Sequence, residues 1–284
     1  MKLTRLSDVR TLLEQLNIYP AKKLGQNFLV DFNILNIILD TARLNPEDEI
    51  LEIGAGLGVL TDPLARIARR VVIVEKDKRL WPWLKSRYEQ TSNVELICAD
   101  MMKLDSEALI ESGINKVISN LPYSVGSAIL VNFLKTRRPP EQITVTLQLE
   151  VAKRLIADPG QTDFGLLSLW SQLIYDIKIR KIISPACFHP SPNVKSAIIQ
   201  LVRRDTPVVE LISKDYFFDL TKFVFSQRRK QLKTIFRHAP QNMNLSTEHV
   251  MKIFRKLQMD PVSRPGTLSV AKWCHLANAL YSHE

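Results

Sequence analysis

From residue 49 onward, short apolar runs alternate with stretches of helical spacing. Residues 49–55 (EILEIGA), 70–75 (RVVIVE), 94–99 (VELICA), 116–119 (KVIS) and 143–149 (ITVTLQL) are predicted as strands. Between them, 60–68, 79–90 and 127–135 are predicted as helices. Alternation at this interval predicts an α/β fold with a Rossmann-like, doubly wound parallel sheet. Two further strand-like runs, 176–183 and 196–203, flank a proline-rich turn and are expected to close the sheet as an antiparallel edge. After Arg204 the texture changes. Residues 205–209 (DTPVV) resemble a linker, and 215–225, 229–236, 247–257 and 268–280 are predicted as helices, with breaks at Pro240, Pro261 and Pro265. The expected division is a sheet domain over 1–206 and a small all-α domain over 207–284.

Composition narrows the class. The chain has 284 residues, 45% of them hydrophobic, which is enough apolar material for a sizeable core and excludes disorder. The longest uncharged run, 117–134, contains Asn120, Pro122, Ser124, Gly126 and Asn132 and is too polar to span a bilayer. The N-terminus mixes charge from the start (Lys2, Arg5, Asp8, Arg10, Glu14) and carries no apolar leader. Cys98, Cys187 and Cys274 are scattered, without a CxxC pair or a His/Cys cluster, so neither a metal site nor a disulfide framework is expected. These features predict a cytoplasmic protein without membrane association. The net charge is +10, of which the last 82 residues carry +7. Basic surface favours polyanions through counterion release, or is simply a solvated face.

The first strand runs into Glu52-Ile53-Gly54-Ala55-Gly56-Leu57-Gly58. Glycines after a strand let the backbone turn sharply and approach a ligand. The dinucleotide spelling GxGxxG needs glycine at 59, where the chain has valine; the third glycine comes one residue early. That spelling belongs to enzymes that use S-adenosylmethionine, a cofactor with no pyrophosphate to cradle. Glu75 ends the second strand, where an acid can accept from both ribose hydroxyls. Asp100 ends the third, where a carboxylate can hold an adenine amino group. Either acid alone is an ordinary strand end. Three such features on successive strands lie where a doubly wound sheet binds its ligand.

The fourth strand delivers Asn120-Leu121-Pro122-Tyr123. Pro122 stiffens the turn and removes a donor. The Asn120 side-chain oxygen and the Leu121 carbonyl can then accept from an exocyclic amine, and Tyr123 offers a face for a base. Such an amine is a poor nucleophile because its lone pair is delocalised. Two acceptors gripping its hydrogens would favour a pyramidal nitrogen, so catalysis would rest on positioning and electrostatics. Phe188 opens the turn Phe188-His189-Pro190-Ser191-Pro192-Asn193 and is either a cover for the other face of a flipped base or a core residue; chemistry alone favours the core. His189 stands alone and reads as solvent-facing. Arg228, Arg229, Lys230 and Lys233, with Arg237, form a basic cluster in which Arg229, Lys233 and Arg237 share a helical face by i, i+4 spacing. It is a phosphate-binding stripe or a plain solvated face.

Taken together, these motifs resemble the KsgA (RsmA) family of ribosomal RNA adenine dimethyltransferases over nearly the whole chain. Lys22-Lys23-Leu24-Gly25-Gln26-Asn27-Phe28-Leu29, ILEIGAGLGVLT, NLPY, the 147–154 segment LQLEVAKR with Asp158-Pro159-Gly160, FHPSPNVKSA and FSQRRKQL each look like a family motif. The resemblance implies S-adenosylmethionine as methyl donor and N6,N6-dimethylation of two adjacent adenosines near the 3′ end of 16S rRNA, within the small ribosomal subunit or its precursor. It implies cofactor binding by Asn27, Leu29, Gly54, Glu75, Asp100 and Asn120. Adenine handling falls to Asn120, Leu121, Tyr123 and Phe188, and the protein is expected to act as a monomer. Asn27 and Leu29 rest on the resemblance alone. Ala55 stands where the family usually has proline, and 124–127 (SVGS) is less typical than the family's usual polar run. Rival readings are a large-subunit rRNA methyltransferase of the antibiotic-resistance type, against which the 147–160 segment argues, and a non-catalytic nucleic-acid-binding relative, against which intact NLPY and Phe188 argue. A nicotinamide dehydrogenase fails on the glycine spacing.

Overall fold

The computed structural model describes residues 1–20, 25–240, 243 and 245–281. Lys22, Lys23 and Leu24 of the N-terminal motif lie outside the described residues. In chain order the helices are α1 (Leu6–Gln15), α2 (Phe32–Ala42), α3 (Thr61–Ile67), α4 (Trp81–Tyr88), α5 (Ser106–Glu111), α6 (Gly126–Lys135), α7 (Leu149–Ile156), α8 (Leu166–Ile174), α9 (Lys214–Phe225), α10 (Leu232–Arg237), α11 (Thr247–Lys256) and α12 (Val270–Tyr281). The strands are β1 (Phe28–Leu29), β2 (Glu49–Ile53), β3 (Arg70–Glu75), β4 (Val94–Cys98), β5 (Lys116–Asn120), β6 (Gln142–Gln148), β7 (Tyr175–Ile183), β8 (Phe188–His189) and β9 (Ser196–Arg203).

Seven strands form one sheet in the order β4-β3-β2-β5-β6-β9-β7. The first five are parallel, and β9 runs antiparallel to β6. The apolar runs of β2, β3 and β5 are buried almost throughout, because both faces of a central parallel strand are covered. From β2 the chain adds β3 and β4 on one side, then crosses to add β5 and β6 on the other. The reversal opens a crevice at the carboxyl ends of β2 and β5. At the amino ends, Lys116 Nζ bonds Asp48 and the Arg43 carbonyl, both at 2.8 Å, tying the start of β5 to the end of α2.

The chain divides into two compact units, Met1–Ala152 with Asp176–Arg203, and Lys153–Tyr175 with Arg204–Glu284. The second unit resumes at Arg204, three residues before the start at 207 read from the sequence, but it also takes in 153–175. The reason is packing within that unit. Trp170 on α8 meets Phe218 on α9 edge-on, with ring centroids 4.6 Å apart, and its indole N–H donates to Thr221 Oγ1 at 2.9 Å. Around them Phe225 packs on the fully buried Trp273 of α12, and Phe236 on Phe254. A composition change along the chain marks where Arg204 begins a new region. It does not reveal that an earlier helix is apolar on nearly every side because it belongs to that region's core.

Candidate functional site

Gly54, Gly56 and Gly58 all adopt positive φ, at 72°, 59° and 95°. The requirement is sharpest at Gly58, where a Cβ would lie 2.3 Å from the Tyr88 hydroxyl. That hydroxyl donates to Asp62 Oδ1 at 2.8 Å, so it is not free to swing away. The resulting loop carries its backbone past the end of β2, and the Gly54 N–H donates to the Val74 carbonyl at 2.8 Å.

Glu75, at the end of β3, is almost fully buried. Its Oε2 accepts the Gly56 N–H at 3.0 Å and its Oε1 accepts the Asp77 N–H at 2.8 Å. The carboxylate thus holds the glycine loop while keeping lone pairs for a ligand. Burial pushes its pKa above the usual carboxylate range, against the pull of the backbone donors. Asp100, past the end of β4, accepts the Met102 N–H at 3.1 Å and pairs with Lys76 at 2.9 Å. Lys76 first, against some burial, holds its carboxyl below the usual range, so it is an ionised acceptor.

Asn120 ends β5. Its Nδ2 donates to the Asn27 carbonyl at 2.8 Å, and its Oδ1 accepts from the hydroxyl of Thr146 on β6. Here the structure amends the reading that leaves the Asn120 oxygen wholly free, since Thr146 already engages it. Asn27 is delivered by the two-residue strand β1, paired antiparallel with β8 so that Leu29 faces Phe188 in register. Tyr123 shares a hydrogen bond with Ser196 at the start of β9, and burial raises its pKa. Gly126 lets α6 begin against β6, because a Cβ there would meet Leu147 Cδ2 at 2.8 Å.

One pocket is lined by Asn27, Leu29, Gly54, Glu75, Asp100, Asn120, Leu121 and Tyr123. Phe188 is not among its walls. It is buried in the core, with its ring edge-on to Tyr123 at 77° and 6.5 Å between centroids. The pocket fits a nucleoside-type ligand carrying a cationic centre: two carboxylates sit at successive strand ends, beside a cradle of positive-φ glycines. Among the described residues no three His, Cys, Asp or Glu side chains are grouped to hold a metal, and no helix is long and apolar enough to cross a membrane.

Three contributors escaped the sequence reading. Glu52 lies buried behind the glycine loop, takes a 2.6 Å bond from Thr61, and has its pKa pushed up to about 8 by burial. It stands first in the glycine spelling, which is the signal that could have marked it. Thr146 and Ser196 had no local signal, because their importance comes from strand register. The basic cluster also differs from expectation. The helix predicted over 229–236 begins at Leu232, because 226–229 continue from α9 as turns, with the Arg228 N–H on the Phe225 carbonyl at 3.2 Å. Arg229 therefore lies outside the helix, and only Lys233 and Arg237 keep the i, i+4 relation. Arg228 donates to the Thr162 carbonyl at 2.7 Å and Lys230 to Gln227 at 3.0 Å.

A family model described as ribosomal RNA adenine dimethylase matches residues 20–276. Curated relatives named ribosomal RNA small subunit methyltransferase A are similar along nearly the whole chain. The one from Bacillus cytotoxicus is 35% identical, and the one from Bacillus mycoides 37%, each alignment covering 97% of this chain and 96% of the relative. Among solved structures, a dimethyladenosine transferase from Plasmodium falciparum superposes with a TM-score of 0.75 at 23% identity, covering 87% of this chain and 95% of the other. The 23S rRNA methyltransferase ErmE superposes with a TM-score of 0.64 at 24% identity, covering 90% of this chain and all of the other. The two structural likenesses bear on the fold alone.

Proposed function

The chain belongs to the ribosomal RNA adenine dimethylase family, and on that premise we propose that it dimethylates two adjacent adenosines at N6 near the 3′ end of small-subunit rRNA. S-adenosylmethionine, when bound, supplies an electrophilic methyl group on a sulfonium. The protein's task is to hold the two reactants. Glu75 takes the ribose hydroxyls, Asp100 the adenine amino group, and the glycine loop lies along the rest. Asn120 Oδ1 and the Leu121 carbonyl take the N–H groups of the target amine, with Tyr123 beneath the base. As the nitrogen takes the methyl, the carbon–sulfur bond of the sulfonium would break and the sulfur leave as a neutral thioether; the nitrogen, now cationic, gives its proton to water, so no strong base is required. The observation that carries the reading is the convergence of Glu75, Asp100 and Asn120, from the ends of three strands, on one pocket.

The direct test is incubation with radiolabelled cofactor and under-methylated small subunits, followed by mapping of the label. Label on two neighbouring adenosines of the small subunit is expected. Label confined to large-subunit RNA, or none, overturns the reading. The same proposal gives Arg228, Arg229, Lys230 and Lys233 to rRNA phosphates, which set affinity and orientation without reading sequence. Alanine at Arg229 and Lys233 should flatten the salt dependence of subunit binding by about one to two units of log–log slope. Parallel slopes in a salt titration of wild type and double mutant would leave the cluster as solvated surface.

A further inference from the structure

We infer that Thr146 is a positioning residue for methyl transfer, acting through Asn120; the inference rests on the function proposed above. Parallel pairing of β5 with β6 places Asn120 opposite Thr146. Thr146 is fully buried, and its hydroxyl donates to Asn120 Oδ1. At the other end of the same carboxamide, Nδ2 donates to the Asn27 carbonyl at 2.8 Å. A carbonyl oxygen can only accept, so Asn27 dictates which end of the amide carries nitrogen. Thr146 then fixes what the oxygen can do. It occupies one of the two lone pairs and leaves one, in a defined direction, for an incoming N–H.

The three groups form a chain: hydroxyl to carboxamide oxygen, carboxamide nitrogen to backbone carbonyl. Donation into an amide oxygen strengthens the donor capacity of its N–H, so each bond supports the other in a site of low dielectric. Removing the hydroxyl loosens the amide at both ends. The Asn120 oxygen can then rotate, and the target amine meets an acceptor that is present but no longer aimed. The bonds that hold Glu75 and Asp100 run to Gly56, Asp77, Met102 and Lys76 and not through Thr146, so the effect should appear in turnover more than in ligand binding.

Thr146→Val keeps the side-chain shape and deletes the hydroxyl, and Thr146→Ser restores it. At saturating cofactor and small subunits, Thr146→Val should lower kcat about tenfold, with the Kd for S-adenosylmethionine and the KM for subunits within about twofold. Thr146→Ser should return kcat to within about twofold of wild type. In an Asn120→Ala background Thr146→Val should cost nothing further. A readout independent of turnover is the side-chain NH2 pair of Asn120 in 15N spectra, assigned by its loss in Asn120→Ala: Thr146→Val should shift or broaden it, and Thr146→Ser should not. Wild-type turnover in Thr146→Val, or an equal loss in Thr146→Ser, overturns the inference. A wild-type protein that binds cofactor but methylates no small-subunit RNA overturns the proposed function instead, and the NMR comparison still reports on the Thr146–Asn120 link.

Discussion

On the side of the pocket given to the cofactor, the ligand-facing groups are held by backbone close in the chain. Glu75 takes its two bonds from N–H groups 19 and 2 residues away, and Asp100 takes one from 2 residues away beside its ion pair with Lys76. On the side given to the target base, the partners are distant side chains and carbonyls. Asn120 is clamped by groups 93 and 26 residues off, and Tyr123 by one 73 residues off. The first side is a property of the consecutive β2-α3-β3-α4-β4 run and its glycines. The second exists only once β1, β5, β6 and β9 have found their register. The first should therefore respond to substitution as a binding surface, and the second as an alignment of groups.

Asn120→Ala tests that contrast most severely. It removes the acceptor aimed at the target amine, and turnover should fall about 100- to 1,000-fold, as for loss of one preorganised polar group. Cofactor affinity should fall less, because Glu75, Asp100 and the loop remain. Single-turnover kinetics beside calorimetry separate the two effects, and near-normal turnover would erase the distinction between the halves. Glu75→Ala is the mirror experiment. S-adenosylmethionine affinity should drop by about 2–3 kcal/mol, the range for hydrogen bonds to a charged group. Glutamine is no gentler here, since its NH2 must face either the Gly56 or the Asp77 N–H. Calorimetry finding unchanged affinity in a folded Glu75→Ala protein would remove Glu75 from the cofactor site.

How far this contrast was legible beforehand follows from its physics. The strands of the sheet declared themselves as apolar runs, and the glycine loop, Glu75 and Asp100 followed because their roles attach to strand ends. Asn120 was legible as a residue type, but not its clamp. Nothing near Thr146 or Ser196 in the chain marks them, and their partners are fixed by pairing between strands. Phe188 packs as the core residue that its chemistry alone suggests, edge-on to Tyr123. β1 and β8 were invisible as strands, because two residues carry no period. Only the helical placing of Arg229 departs from the spacing, because an i, i+4 pattern cannot show that the chain is still turning out of α9.

A smaller effect sharpens the base side. Ser196→Ala leaves the Tyr123 hydroxyl without its partner, and turnover should fall about fivefold, the net worth of one hydrogen bond. Tyr123→Phe should reproduce that loss, and in the double mutant the losses should not add. Additive losses in steady-state assays would mean that the two side chains act separately.

The mildest test belongs to the cofactor side. Burial, opposed by the Thr61 bond and reinforced by nearby Glu75 and Asp62, pushes the Glu52 pKa up to about 8. Between the ordinary carboxylate range and about 8, the folded protein keeps a proton that the unfolded chain has released. Stability should therefore decline as pH rises through that window and level off above it. Glu52→Gln should flatten the slope, which thermal unfolding from pH 5 to 9 would measure. An unchanged slope would assign the pH dependence to other groups.

The contact between Gly58 and Tyr88 restricts the order in which this chain can change over generations. An alanine at 58 is barred while the phenol oxygen stands 2.3 Å from its methyl group. If Tyr88 first becomes phenylalanine, the nearest remaining ring atom lies at 3.3 Å, and the obstacle shrinks to the backbone conformation at φ 95°. The reverse order passes through a protein in which the loop or α4 must shift. Two positions thirty residues apart are therefore bound as an epistatic pair with a preferred sequence of steps. Glycine at 58 is thus required twice, by the phenol oxygen and by the backbone at φ 95°, and a change at Tyr88 lifts only the first requirement.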